Sequence, residues 1–356
     1  LSHTYQEQFE QKLERLKNIL APYSDLSPSA FKSPEKGYRQ RAEFRIWHEG
    51  DQASYAMYRP GSKELYCLRE LPAAADSINK LLPSLLERLN QTKELKYRLF
   101  SIEFLSTLSG EMLVTLIYHR ALDEEWLNLA KSLEQEFSIY VIGRSRKQKL
   151  CVSQDYVTEE LDIEGISFRY QQIEGSFTQP NGLINQQMIG WALSQVGTQE
   201  SDLLELYCGN GNFTIPLSQK FRQVFATEIS KSSIRSLNWN IEANQINNLK
   251  SARLSAEEMG DALGAVRPFR RLKEIDLESY NFSHILVDPP RAGLDSKSVE
   301  FVKEFDYILY ISCNPETLAA NLEQICQSHE IVSAALFDQF PFTPHMESGV
   351  YLRKTA

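Results

Sequence analysis

The chain has 356 residues, 42% hydrophobic and 24% charged, with a net charge of −9, the composition of an ordinary globular protein with room for more than one domain. That balance excludes a disordered or collagen-like polypeptide, no apolar run is long enough for a bilayer span, and the polar start does not read as a signal peptide. Five dispersed cysteines, at 67, 151, 208, 313 and 326, form no C-x-x-C pair, so reduced thiols, a cytoplasmic setting, no metal and no iron–sulfur cluster are expected.

In chain order, Phe9, Leu13, Leu16 and Leu20 fall at helical spacing and predict an amphipathic helix over 5–20. Strands follow at 41–48, 53–59 and 64–69, the last two separated by the turn Arg59-Pro60-Gly61-Ser62. A helix is expected over 72–90, a hairpin from 99–108 and 111–118, a helix over 122–136 and a strand at 139–143. This α+β half carries two basic stretches, Lys32, Lys36, Arg39, Arg41 and Arg45, then Arg144, Arg146, Lys147 and Lys149. Each reads equally as a solvated face or as a phosphate-binding patch.

The second half changes rhythm. Helix 181–196 precedes strand 202–206, a glycine loop and a helix from 213. Then come strand 223–228, helix 231–245 and strand 249–254. An irregular stretch is expected at 256–280, then strand 283–288, helix 295–304, strand 307–312, helix 315–328 and strands at 331–338 and 349–353. Such alternation predicts an α/β doubly wound parallel sheet. A boundary near 170–180 gives an N-terminal region 1–175 and a catalytic domain 176–356.

Gly209 and Gly211, directly after strand 202–206, allow a tight turn and close backbone approach to a ligand. Glu228 ends the next strand at the spacing of a ribose-binding acid. Thr214 stands where a dinucleotide fingerprint wants a third glycine, so the loop fits S-adenosylmethionine better than NAD, with Tyr207 and Asn212 flanking it. Cys208, beside the loop, reads as a packing residue.

Ligands of open α/β sheets bind beyond the carboxyl ends of the strands, where Asp288 and Cys313 both fall. Asp288-Pro289-Pro290 is similar to the signature of methyltransferases acting on exocyclic amino groups, but Arg291 stands where those enzymes have a base-stacking aromatic residue. Cys313 favours another chemistry. A thiolate adding to carbon 6 of uracil makes carbon 5 enolate-like and able to attack a methyl sulfonium, after which a base removes the proton on carbon 5. A helix N-terminus near Pro315 is expected to favour the thiolate. His345 and Glu347 are equal candidates for the base on chemistry alone.

At these residues the chain resembles the RNA 5-methyluridine methyltransferases. The matching motifs are Ser176-Phe177-Thr178-Gln179-Pro180-Asn181, the loop 204–213, Ala226-Thr227-Glu228, Asp288-Pro289-Pro290-Arg291, Ser312-Cys313-Asn314-Pro315 and His345-Met346-Glu347. The likeness extends to Tyr38-Arg39-Gln40-Arg41-Ala42-Glu43-Phe44-Arg45-Ile46-Trp47-His48 and so spans nearly the whole chain. It implies a class I (Rossmann-like) S-adenosylmethionine-dependent methyltransferase domain with an N-terminal α+β RNA-binding domain. It also implies Cys313 as nucleophile, Glu347 as proton acceptor, Asp288 at the uracil edge, and Gln179, Tyr207, Gly209, Asn212, Glu228 and Asp288 around the cofactor. The implied substrate is the T-loop uridine of the tRNA T-arm, conventionally position 54. Ribosomal-RNA relatives often add a barrel domain and a four-cysteine iron–sulfur cluster, for which this chain has neither length nor clustered cysteines.

A stacked uridine must be flipped out before a thiolate reaches it, and loop RNA is held by aromatic stacking with Arg and Lys on phosphates. Arg45, Phe100 and His119 are the candidates, each also explicable as a strand residue. A monomer is expected. Two competing functions are a tRNA-binding folding chaperone in which methylation is secondary, and an amino-methyltransferase, which leaves Cys313 unexplained.

Overall fold

The computed structural model describes residues 4–356. Thr4 and Glu7 form a capping box that starts α1 (Tyr5–Leu20), whose buried face carries Tyr5, Phe9, Lys12, Leu16 and Leu20. The chain continues through β1 (Ser29–Phe31), β2 (Arg41–Glu49), β3 (Gln52–Tyr58), β4 (Leu65–Cys67), α2 (Asp76–Gln91), α3 (Lys93–Lys96), β5 (Leu99–Ser106) and β6 (Met112–Tyr118). Next come α4 (Glu124–Phe137), β7 (Tyr140–Ser145), β8 (Gln148–Cys151) and a two-stranded ribbon, β9 (Tyr156–Ile163) with β10 (Ile166–Ile173). The remainder is α5 (Gly182–Gln195), β11 (Asp202–Leu206), α6 (Thr214–Leu217), β12 (Val224–Thr227), α7 (Lys231–Ala243), β13 (Leu249–Ala252), α8 (Ala256–Leu263) and β14 (Phe282–Val287). It closes with α9 (Ser296–Val302), β15 (Tyr307–Ser312), α10 (Pro315–Ile325), β16 (His329–Phe337) and β17 (Glu347–Lys354).

Two compact units result. The first takes the described residues up to Ser33, with Leu161–Tyr170 and Leu183–Ala356; the second takes Pro34–Glu160 and Gln171–Gly182. This division differs from the expected one at 175/176 in a specific way. Residues 4–33 join the C-terminal unit because α1 packs into its core and β1 pairs in parallel with β16. A three-residue strand whose partner lies some three hundred residues away leaves no local signal.

The first unit holds an eight-stranded sheet in the order β1-β16-β17-β15-β14-β11-β12-β13. Strands β11 to β15 run parallel, and β17 is antiparallel to both its neighbours. Connections leave β11 toward β12 on one side and return through β14 on the other, so the loop after β11 lies where the winding reverses. Alternate residues feed opposite cores: Leu204, Leu206, Ile285 and Val287 pack with α1, α9 and α10, and Leu203, Val224 and Leu286 pack with α5 and α7. The stretch expected to be irregular instead contains α8, started by a Ser255/Glu258 capping box.

The second unit holds a seven-stranded sheet in the order β4-β3-β2-β5-β6-β7-β8. Its only parallel pair, β6 with β7, is joined through α4. Phe44, Tyr55, Leu82, Leu85, Phe104 and Trp126 are central to its core. Gly143 lets Trp126 lie against β7, since a Cβ there would meet the indole at 2.3 Å.

Candidate active site

The loop after β11 turns sharply, with positive φ at Tyr207 (58°), Gly209 (55°) and Gly211 (89°). The two glycines serve different ends. A Cβ on Gly211 would strike Leu237 at 2.4 Å, whereas a Cβ on Gly209 would meet nothing within 4 Å. Gly211 thus allows the loop to pack on α7, and Gly209 faces open space. The loop is tied on several sides. Asn185 of α5 and Asn212 exchange two 2.8 Å hydrogen bonds, the Tyr170 hydroxyl donates to the Asn212 carbonyl, and Asn240 donates to the Asn210 carbonyl. Glu228 accepts from the Gly209 and Ser230 backbone N–H groups at 3.0 and 2.8 Å. The next residue, Ile229, is 67% exposed, an apolar side chain held at the rim.

Glu205 lies beneath this loop, inside β11, and went unremarked in the sequence. It is almost wholly buried, and Oε2 has no hydrogen-bond partner. Burial pushes its carboxyl up to about 8, with Asp288 raising it further and the Thr214 hydroxyl partly offsetting this. An acid in the otherwise apolar run Leu203-Leu204-Glu205-Leu206 was the available signal, because a fully buried parallel strand has no structural need for it.

On the other side of the switch, β14 ends at Val287 and β15 at Ser312. Asp288 and Cys313 therefore emerge at the carboxyl rim. Ser312 pairs with Ser348 in the antiparallel β15–β17 ladder. One step further along that register, Cys313 stands across from Glu347, the first residue of β17, which itself pairs with Phe337. Buried contacts hold the segment after Asp288 against α10. Asn321 accepts from the Leu294 N–H and from the Tyr310 hydroxyl, and donates to the Leu294 carbonyl. Asn314 and Thr317 donate to the Arg291 carbonyl. Gly293, at φ 72°, permits the approach, since a Cβ would meet Thr317 at 2.8 Å.

Electrostatics tie the three groups together. Burial, then the charges of Glu347 and Asp288, push the Cys313 thiol up to about 11, with Arg291 opposing. Burial raises Asp288 to about 7, and burial with the Asp288 charge raises Glu347 well above the usual carboxylate range. The expectation that the helix N-terminus would favour a thiolate is corrected here: desolvation and two neighbouring carboxyl groups outweigh the start of α10. His345 is exposed, its ring set edge-on to Phe340 at 5.9 Å, whereas Glu347 is 4% exposed. Cys208 is buried in the apolar core with its thiol raised by burial, which suits a packing residue.

A family model described as tRNA (Uracil-5-)-methyltransferase matches residues 4–355. The tRNA/tmRNA (uracil-C(5))-methyltransferase of Neisseria meningitidis serogroup B is 54% identical over 98% of both chains. The chain belongs to the tRNA (uracil-5-)-methyltransferase family. Membership makes it an S-adenosylmethionine-dependent transferase. A second relative of the same name, from Pseudomonas savastanoi pv. phaseolicola, is 51% identical over 98% of this chain and 97% of its own. The crystal structure of Pyrococcus abyssi tRNA (uracil-54, C5)-methyltransferase in complex with S-adenosyl-L-homocysteine superposes with a TM-score of 0.73 at 21% identity, covering 98% of this chain and 83% of that one. The architecture of the first unit is accordingly the class I methyltransferase fold.

Within that fold the first unit contains Tyr207, Gly209, Asn212, Glu228, Asp288, Cys313 and Glu347, while Gln179 lies in the second unit. The Tyr207 phenol is turned toward Ser298 and Asp295 at the start of α9. In the second unit Arg45, Phe100 and His119 form one column. The Arg45 guanidinium lies 3.5 Å from the Phe100 ring centroid, and the His119 ring lies 4.0 Å beyond. Phe100 sits at an irregularity in the β5–β6 register, which re-aims its side chain. Among the described residues no cluster of metal-ligating side chains occurs, and no helix is long and apolar enough to cross a membrane.

Proposed function

We propose that the chain methylates carbon 5 of the T-loop uridine of tRNA, position 54, forming 5-methyluridine through a covalent adduct of Cys313 with carbon 6 of the base. The observation that carries this reading is the register that sets Cys313 across from Glu347, with Asp288 acting electrostatically on both. The substrates named for the relatives agree with it.

The loop suits S-adenosylmethionine, which supplies a methyl group on a sulfonium. Gly209 leaves open space above the loop, and Glu205 offers an orphaned buried carboxyl to an ammonium group. Glu228 keeps lone pairs for ribose hydroxyls, Ile229 offers an apolar surface to a purine, and Tyr207 and Asn212 complete the set within the first unit.

Cys313 rests as a thiol, so its proton needs an acceptor before sulfur can add. Glu347 must be unprotonated later, which leaves Asp288, raised only to about 7, to take the thiol proton. As Asp288-OH it then hydrogen-bonds the enolate oxygen at carbon 4. The Cys313 sulfur bonds to carbon 6, the electrons of the 5,6 double bond move to the carbon 4 carbonyl, and carbon 5 accepts the methyl group as the sulfonium becomes a thioether. The Glu347 carboxylate takes the proton on carbon 5, the 5,6 double bond re-forms and the carbon–sulfur bond breaks, releasing thiolate. The uridine must leave its stack to reach Cys313, and the Arg45–Phe100–His119 column offers loop nucleotides a stacking surface.

The test is tRNA carrying 5-fluorouridine, whose fluorine cannot be removed by a base. A methylated enzyme–RNA adduct stable on a denaturing gel is expected, absent in Cys313→Ala. Normal methylation by that variant, or a methyl group found elsewhere than carbon 5 of uridine by mass spectrometry of digested tRNA, would sink the reading.

A further inference from the structure

The connection from β16 to β17 runs from residue 338 to 346, and its far end delivers Glu347 to the rim. Its near end is held by α1. Lys12 Nζ donates to Asp338 Oδ1 at 2.7 Å and to the Phe340 carbonyl at 2.9 Å, and the two side chains are 5% and 0% exposed. The Phe340 carbonyl also accepts from the Thr343 hydroxyl at 2.8 Å. One face of α1 makes a second contact seven residues earlier, where the Tyr5 ring lies 5.6 Å from that of Phe342, a residue held at φ 60°. The Asp338 N–H donates to the Phe31 carbonyl of β1, and the Gln339 amide donates to the Met188 sulfur. Residues 5–31 thus act as a strut behind the segment that carries the proposed base.

Stability alone does not account for this ion pair. A buried lysine and carboxylate rarely stabilise a fold more than apolar residues of the same volume would. Here the Asp338 Oδ2 atom is buried with no partner at all, a further cost. What the pair does provide is fixed geometry: one cation joins a side chain and a main-chain carbonyl two residues apart, at the root of a nine-residue connection.

We propose that Lys12, through Asp338 and the Phe340 carbonyl, is a positioning residue for proton removal from carbon 5, because it fixes where Glu347 stands relative to Cys313. The inference rests on the reading of Cys313 as nucleophile and Glu347 as base. It makes a step-specific claim. Adduct formation and methyl transfer precede the work of Glu347, so they proceed normally without the clamp, and only release of Cys313 slows.

The test uses the full chain with Lys12→Met/Asp338→Val, which removes both buried charges together. With 5-fluorouridine tRNA, adduct should form at the parent rate, within about twofold. With ordinary tRNA, turnover should fall about tenfold to a hundredfold, as a small misplacement of a catalytic group does, and methylated covalent adduct should accumulate on denaturing gels to a higher level than in the parent. If adduct never accumulates, or if adduct formation slows as much as turnover, the proposal is overturned and the pair is structural. Should that variant not fold, Lys12→Gln/Asp338→Asn, also without buried charge but closer in shape, is read in the same way. A parent enzyme that forms no adduct with 5-fluorouridine tRNA overturns the covalent mechanism itself, and the inference with it.

Discussion

Replacing Glu205 by glutamine should stabilise the protein and disable its cofactor site together. The carboxyl titrates at about 8 in the folded chain against an ordinary value of 4.5. The folded state therefore holds a proton that the unfolded state loses across that window, and stability falls as pH rises through it. At 1.36 kcal/mol per unit the full cost above pH 8 is about 5 kcal/mol, and about 3 kcal/mol at pH 7. Relaxation and water entry reduce this, so a gain of about 2 kcal/mol at neutral pH is the working expectation for Glu205→Gln. The assay is urea unfolding of parent and variant at about pH 5 and about pH 8.5. The difference should be near zero at the lower pH and largest at the higher one. S-adenosylmethionine affinity, measured by calorimetry, should fall at least about tenfold as the counter-charge to its ammonium is lost. Parallel stability differences at both pH values, or unchanged affinity, would refute the reasoning.

Cys313→Ala should lose at least about a thousandfold in turnover, with S-adenosylmethionine and tRNA affinities within about twofold by equilibrium binding. Glu347→Gln should accumulate methylated covalent adduct with ordinary tRNA, whereas His345→Ala, exposed and outside the Cys313–Glu347 register, should keep activity within about fivefold; the reverse pattern would exchange their roles. His119→Ala, which removes the exposed end of the column, should raise KM for tRNA about tenfold or more while changing kcat little, since stacking a base contributes about 1–3 kcal/mol. Single-turnover rates should climb as pH passes about 7, where Asp288 ionises and can take the thiol proton, and then level off; a rate that falls over this range would contradict Asp288 as the acceptor of that proton.

The parts of the site that the sequence announced are those set by strand ends. Gly209, Asp288 and Cys313 each follow an apolar run, and in a parallel sheet such positions share one rim by topology alone. The Cys313–Glu347 pairing could not be read that way, because it depends on an antiparallel register between strands separated by a helix and another strand. The electrostatic sign of Cys313 was likewise hidden. Helix-start reasoning sees the N-terminus of α10 but not the depth of burial or the two carboxyl groups that decide the matter. Residues 5–20 were legible as a helix and illegible as part of the catalytic unit, since an apolar stripe specifies that a face is buried and not against what. Glu205 was in plain view as a charge inside an apolar strand. The S-A-E-E run at 255–258 was equally readable as a capping box.

Glu205, Asp288, Glu347 and Cys313 are all pushed toward their neutral forms by burial, and negative charge on a neighbour reinforces the shift in Glu205, Glu347 and Cys313. Left alone, with only Asp288 partly ionised, such a rim holds neither a thiolate at Cys313 nor a free base at Glu347. The proposed reaction needs both, one after the other. A sulfonium and an ammonium entering the loop, partly offset by the carboxylate of the same molecule, bring net positive charge into the same low-dielectric space, where opposite charges a few ångströms apart interact far more strongly than in water. Their arrival favours the ionised carboxyl groups and lowers the cost of the Cys313 thiolate. In the proposed reaction, the activation that the start of α10 does not provide is thus supplied by the methyl donor, with cofactor binding before nucleophile activation.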